Sequence, residues 1–218
     1  MKKSNRRSVD RRGFLKGAGV TAATTVIESA NALARETKDA LHHDRSVGPD
    51  ALPVKLFVNG HEHSVMIEPR YTLADTLRDN LGLTGTKVVC DRGSCSACTV
   101  WIDKTPSLAC MTLAIDAVGR EITTIEGLSH GDTMHPVQAA FVKHDAMQCG
   151  FCTPGMVMSC AALLERTPNP NLDDVKHAVS GNLCRCGTYP KVFAATLDVA
   201  QQRLQAAGLV TLVAGREA

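Results

Sequence analysis

At 218 residues and 44% apolar, the chain is long enough for one or two packed domains and too apolar to be disordered. Aromatic residues make up only 4%, with a single tryptophan, which excludes the stacking platforms of a single-stranded nucleic-acid binder. The formal charge of +2 hides an asymmetry: residues 1–34 hold seven Lys/Arg against two Asp/Glu, so the remainder is mildly acidic and carries no basic footprint for nucleic acid.

The first stretch reads as an address. Arg11 and Arg12 precede Phe14, Leu15 and Lys16, a short apolar run covers 17–27, and Ala30, Ala32 and Ala34 form an A-x-A pattern. A basic start, a short apolar run and small residues in that order describe an export signal, and the run is too short for a transmembrane helix. The paired arginines resemble those of a bacterial twin-arginine signal. The expectation is a signal over 1–34, cleaved after Ala32 or Ala34, and a periplasmic destination. Residues 35–52 read as a linker. His42 and His43 in it read as part of a solvated linker, with weak metal binding as the alternative.

A first domain is expected over 53–128. Val54, Leu56 and Val58 alternate, Asn59-Gly60 supplies a hairpin turn, and His63, Val65 and Ile67 continue at period two. Thr72 and Asp75 form a capping-box pair. Leu73, Leu77 and Leu81 then repeat on one helical face until Gly82. After a cysteine loop, strands are expected at Thr99–Ile102, near 108–114 and near 121–125. The class is α+β.

A second domain is expected over 133–207, followed by a tail over 208–218. Pro136 opens a helix with Val137, Ala140 and Phe141 on one face. Thr153 is placed to cap the next helix, with Pro154 at its first position and Val157, Cys160, Ala161 and Leu164 inward. Further helices fit 172–179 and 190–206, giving a small four-helix unit. Met156 and Met158 read as packing residues. His130, His135, His144 and His177 lack ligand spacing.

Eight of the nine cysteines fall into two sets of four. Cys90, Cys95, Cys98 and Cys110 have the C-x4-C-x2-C…C spacing of plant-type [2Fe–2S] ferredoxins. Cys149, Cys152, Cys184 and Cys186 are split as C-x2-C…C-x-C. Three thiolates within nine residues need a loop bent around one centre, and Gly93, Ser94, Ser96 and Ala97 are small enough to let backbone N–H groups reach the sulfurs. A structural zinc site favours paired C-x2-C units instead. Cys160 lies on an apolar helical face and reads as a buried structural thiol. Arg185, between two ligand positions, fits either charge compensation or simple solvation. No nucleophile–base pair and no phosphate-binding glycine loop stands out.

QCGFCTPG at 148–155 and GNLCRCG at 181–187, together with the first cysteine set, resemble the iron–sulfur subunit of the xanthine dehydrogenase and aldehyde oxidase family of molybdenum hydroxylases, over 53 to about 205. The resemblance implies a β-grasp ferredoxin domain and a helical domain, each with one [2Fe–2S] cluster. It implies that the chain is an electron-transfer subunit, most simply of a periplasmic aldehyde oxidoreductase, with no substrate chemistry of its own. It implies partners: a large subunit holding the molybdopterin cofactor, an FAD-binding subunit or other acceptor, and a heterotrimer. Gln148 and Cys186 would lie against the pterin. The family often has Gly where Ser96 stands, so a positive φ there would strain this chain. It often has Thr-Gly after the last cysteine, where this chain has Gly187-Thr188. The twin-arginine route carries proteins already folded with their cofactors, which reconciles free thiolates with export. Three alternatives stand beside this reading: a free-standing two-cluster ferredoxin, the small subunit of an N-heterocycle hydroxylase, and a zinc-stabilised binding module.

Overall fold

The computed structural model describes residues 48–208. The expected signal with Arg11 and Arg12, most of the linker with His42 and His43, and the C-terminal tail after 208 lie outside the described residues.

Two strands open the fold, β1 (Leu52–Val58) and β2 (His61–Ile67). They pair antiparallel from Leu52↔Ile67 to Val58↔His61. Asn59 and Gly60 both have positive φ (52° and 82°), the two left-handed residues that a tight hairpin requires. Val54, Leu56 and Val58 point inward and Lys55 and Phe57 outward, as a half-buried strand should.

The expected regular helix after Thr72 is shorter and wider than its periodicity suggests. The capping box between Thr72 and Asp75 forms, but the α-helical part, α1, covers only Leu73–Asp75. A π turn follows over Thr76–Asn80, in which the Leu81 N–H donates to the Thr76 carbonyl at 3.1 Å. Leu73 and Leu77 remain fully buried. From this turn the Arg78 guanidinium donates to the carbonyls of Thr84 (2.9 Å) and Thr86 (2.8 Å), pinning the run that enters the first cysteine loop.

After that loop come β3 (Thr99–Ile102), β4 (Thr105–Leu108) and β5 (Glu121–Thr123). The strand expected near 108–114 is displaced. Asp103 and Lys104 (φ 50° and 62°) turn the chain back two residues after β3, so β4 is already complete at Leu108. Cys110 therefore sits in a 3₁₀ turn, Ala109–Met111, instead of a strand. The five strands form one mixed sheet in the order β2-β1-β5-β3-β4, with β1 and β5 parallel and the other pairs antiparallel.

Four helices follow: α2 (Pro136–Lys143), α3 (Thr153–Arg166), α4 (Leu172–Ala178) and α5 (Tyr189–Ala206). Asn171 caps α4 in a box with Asp174, and His135 caps α2 with Gln138. The expected cap from Thr153 does not form: Cys152 occupies the N-cap position of α3 without a side-chain bond, and the Thr153 hydroxyl is buried without a partner. At the far end of α2, Lys143 and His144 both reach Asp198 on α5 (2.7 and 2.8 Å) and hold its carboxyl well below the usual carboxylate range.

Two apolar cores result. Leu56, Val58, Leu73, Leu77, Val100 and Ile122 fill the first, and Phe141, Met156, Met158, Leu164, Val192 and Val199 the second. Strand β3 joins them because it is buried on both faces. Val100 and Ile102 face the sheet's core, whereas Trp101 packs with the helices and donates from Nε1 to the Met158 carbonyl at 2.9 Å. The start of α3 comes closer still to the first cysteine loop. A Cβ at Gly155 would lie 2.2 Å from the Ser96 carbonyl oxygen and 3.1 Å from the Ala97 Cα. Both obstacles are backbone, so neither can rotate away.

Gly155→Ala is expected to destabilise the protein by about 1–3 kcal/mol, the usual cost of forcing an extra carbon into a packed site. Gly181→Ala, whose Cβ would meet only the rotatable Ser96 hydroxyl at 3.0 Å, should cost distinctly less. Thermal melts of the two variants beside the parent check the order.

Candidate iron–sulfur centres

The eight cysteines of the two sets are free thiols in the loops and turns between the main strands and helices. Cys90, Cys95 and Cys98 lie on the loop before β3, and Cys110 on the turn after β4. Cys149 and Cys152 lie before α3, and Cys184 and Cys186 between α4 and α5. Within each set the thiols act on one another. Cys90 is in hydrogen-bond contact with Cys95, Cys98 with Cys110, Cys149 with Cys186, and Cys152 with Cys184. Among the described residues, no three His, Cys, Asp or Glu side chains converge on a single metal-ion position.

The surroundings divide the thiols by charge preference. A backbone hydrogen bond from Arg92, with bonds from Cys95 and Ser94, lowers Cys90 to about 7. The Ser94 N–H donates to its sulfur at 3.3 Å. Burial tends to raise Cys184, but hydrogen bonds from the Thr188 side chain and backbone, Cys152 and Gly187 outweigh it and bring the thiol to about 7. The Thr188 hydroxyl lies 3.3 Å from the Cys184 sulfur. A backbone bond from Phe151 and a contact with Cys186 lower Cys149. Burial pushes Cys98 and Cys152 up to about 12, so a metal centre bound here must displace their protons. Cys160 is a separate case: it is fully buried within the helical core, and burial raises it to about 12 as expected for a packing thiol.

The first loop bends where the sequence lacks its usual glycine. Ser96 has φ 52°, the left-handed region, flanked by Asp91 at 52° and Gly93 at 73°. Its carbonyl accepts from the Thr99 hydroxyl at 2.8 Å and from Asn182 Nδ2 at 3.0 Å, which hold the strained residue in place.

Both loops open onto one cavity of about 570 Å³, bordered by Cys90, Cys95, Cys149, Cys152 and Cys184 with apolar walls that include Val89 and Phe151. Arg185 lies on its rim and is exposed. Gln148 and Cys186 are exposed as well. Several contributors were not marked by spacing. The buried Asn182 bridges the loops, Ser159 orients it, and the Tyr189 hydroxyl takes the Cys184 N–H at 2.8 Å while donating to the Asn182 carbonyl at 2.8 Å. Asn182 stands two residues before Cys184, the one sequence signal that could have drawn notice to it.

Two family models match this architecture: a 2Fe-2S iron-sulfur cluster binding domain over residues 56–114 and a [2Fe-2S] binding domain over 124–197. The two-domain iron–sulfur chain is therefore the class that fold and cysteines define. The aldehyde oxidoreductase iron-sulfur-binding subunit PaoA of Escherichia coli strain K12 is 41% identical over 208 residues, spanning 88% of this chain and 89% of its own. The nicotine 6-hydroxylase small subunit of Paenarthrobacter nicotinovorans is 45% identical over 153 residues, 70% of this chain and 92% of its own. The crystal structure of quinoline 2-oxidoreductase from Pseudomonas putida 86 superposes with a TM-score of 0.69 at 42% identity, covering 74% of this chain and 99% of that one. The chain belongs to the family of iron–sulfur subunits of the molybdenum hydroxylases, the xanthine dehydrogenase and aldehyde oxidase group.

Ser96→Gly is expected to stabilise the protein by a few tenths to about 1 kcal/mol. Relief of left-handed strain, about 1–2 kcal/mol, exceeds the extra unfolded-state entropy of glycine, about 0.4–1 kcal/mol. A raised midpoint in thermal unfolding, at unchanged iron content, is the check.

Proposed function

We propose that this chain is the electron-transfer subunit of an exported molybdenum-containing aldehyde oxidoreductase. The observation that carries the reading is that cysteines of both sets border one cavity, in a chain of this family. Cys90, Cys95, Cys98 and Cys110 would hold one [2Fe–2S] cluster, and Cys149, Cys152, Cys184 and Cys186 the other. Such clusters, when bound, supply one-electron acceptor and donor sites. The residues of this chain do the rest. Backbone N–H groups and the Thr188 hydroxyl stabilise charged sulfurs, while Val89 and Phe151 line the space between the loops with apolar surface.

The partners follow from the same reading. Gln148 and Cys186 are exposed beside the second set, where a molybdopterin cofactor held by a large subunit would reach them. An FAD-binding subunit or another acceptor would take the electrons, giving a heterotrimer. The choice of aldehyde over N-heterocycle is supported by extent. Similarity to the Escherichia coli subunit runs over 88% of this chain, against 70% for the nicotine 6-hydroxylase subunit. Export by the twin-arginine route, with clusters inserted beforehand, is supported by the Arg11-Arg12 pair, the apolar run and the A-x-A pattern.

The purified native protein should contain four irons and four acid-labile sulfides per chain and, once reduced, give two distinct paramagnetic signals, because the loops differ. Stoichiometric zinc in a colourless protein would overturn the assignment. For export, replacing Arg11 and Arg12 together with Lys should leave a folded, iron-loaded protein in the cytoplasm, since the signal is an address outside the fold. Unchanged periplasmic activity in that variant would refute the route.

A further inference from the structure

One buried side chain holds the two cysteine loops together. Asn182 is 2% exposed and uses every hydrogen-bonding group it has. Its Nδ2 donates across to the Ser96 carbonyl on the first loop at 3.0 Å. Its Oδ1 accepts from the Ser159 hydroxyl of α3 at 3.0 Å. Its own N–H donates to the Val179 carbonyl at 2.9 Å, and its carbonyl accepts from the Tyr189 hydroxyl at 2.8 Å. The orientation of the amide is fixed by chemistry, because a carbonyl such as that of Ser96 can only accept, so the NH₂ must face it.

The next residue makes a second cross-link. The Leu183 N–H donates to the Cys95 carbonyl at 3.1 Å. Cys95 belongs to the first cysteine set, and Leu183 is bonded to Cys184 of the second. One hydrogen bond thus joins a thiol of one set to a thiol of the other through a short run of covalent bonds. Asn182 and Leu183 together clamp 95–96 to 182–183.

We propose that Asn182 is a positioning residue whose carboxamide fixes the separation and orientation of the two cysteine loops, and thereby the electronic coupling between the two iron–sulfur centres. The proposal rests on the electron-transfer reading above and adds to it the residue that sets the internal step. No other polar side chain spans the two loops among the described hydrogen bonds. Its loss would leave both sets of four thiols intact while freeing their mutual geometry. Dipolar coupling between two paramagnetic centres falls with the cube of their distance, so a small change is readable.

The experiment uses the full native protein with Asn182→Ala and Asn182→Asp. Both lose the donor to Ser96, and they differ in charge, so a shared effect identifies the donor. Both should keep four irons per chain and both individual signals in the reduced state. The splitting that each signal owes to its neighbour should narrow or disappear, and the Leu183 amide should exchange with solvent faster than in the parent. Wild-type splitting and wild-type Leu183 protection in these variants would overturn the proposal. If either fails to load iron, Ser159→Ala, which removes only the group orienting the amide, should show a smaller change in the same direction, and no change there would overturn it equally. Trp101→Phe, which breaks an indole hydrogen bond outside the loops, should lower the melting temperature without altering the splitting. If it alters the splitting as much as the Asn182 variants, Asn182 is merely structural and the proposal fails. A parent protein without two iron–sulfur signals would instead refute the functional reading, and amide exchange at Leu183 would still judge the clamp.

Discussion

The contact between Gly155 and the Ser96 carbonyl is the constraint on which the remaining geometry depends. A helix start and a cysteine loop approach to a distance that no Cβ could occupy. That approach brings the N-terminus of α3, with Cys152 at its N-cap, against the first loop, while Asn182 and Leu183 tie the loop of Cys184 and Cys186 to it. It also lets Trp101 leave its own sheet's core for that of the helices, which makes β3 a shared element. Two units that could each be small and marginal gain common packing, and their cysteine loops open onto one cavity.

Much of this was legible in the chain. The hairpin at Asn59-Gly60, the capping box at Thr72 and the four helices follow from turn chemistry and periodicity, which are local. The left-handed Ser96 was anticipated through family resemblance, because a small residue stood where glycine is usual. The π turn after α1 was not legible, since Leu73, Leu77 and Leu81 fit an ordinary helix equally well. The early end of β4 was missed because Asp103-Lys104 is not a conventional turn pair, yet both residues adopt positive φ. Thr153 looked like a cap, but Cys152 takes that position. The role of Asn182 depends on partners up to 86 residues away, and no local pattern encodes it.

The chemistry of the sulfurs shows how one fold tunes like groups differently. Cys90 and Cys184 lie near 7 because hydrogen bonds reach their sulfurs, while Cys98 and Cys152 lie near 12 because the surrounding protein excludes water. The sheet supplies one rigid floor under the first loop and the helix ends supply the other. Hydrogen bonding and solvent exposure are levers on cluster potential, and each set of four combines a hydrogen-bonded thiol with a buried one.

The order β2-β1-β5-β3-β4 leaves two strands at the margins of the sheet, and each discourages recruitment of a further strand. β4 is four residues long and carries Pro106, which offers no N–H to an incoming backbone. β2 begins with His61, Glu62 and His63, polar side chains that an aggregating neighbour would have to desolvate. Amyloid-like stacking through the sheet margins is thereby disfavoured. The same margins discourage a neighbouring subunit from lengthening this sheet.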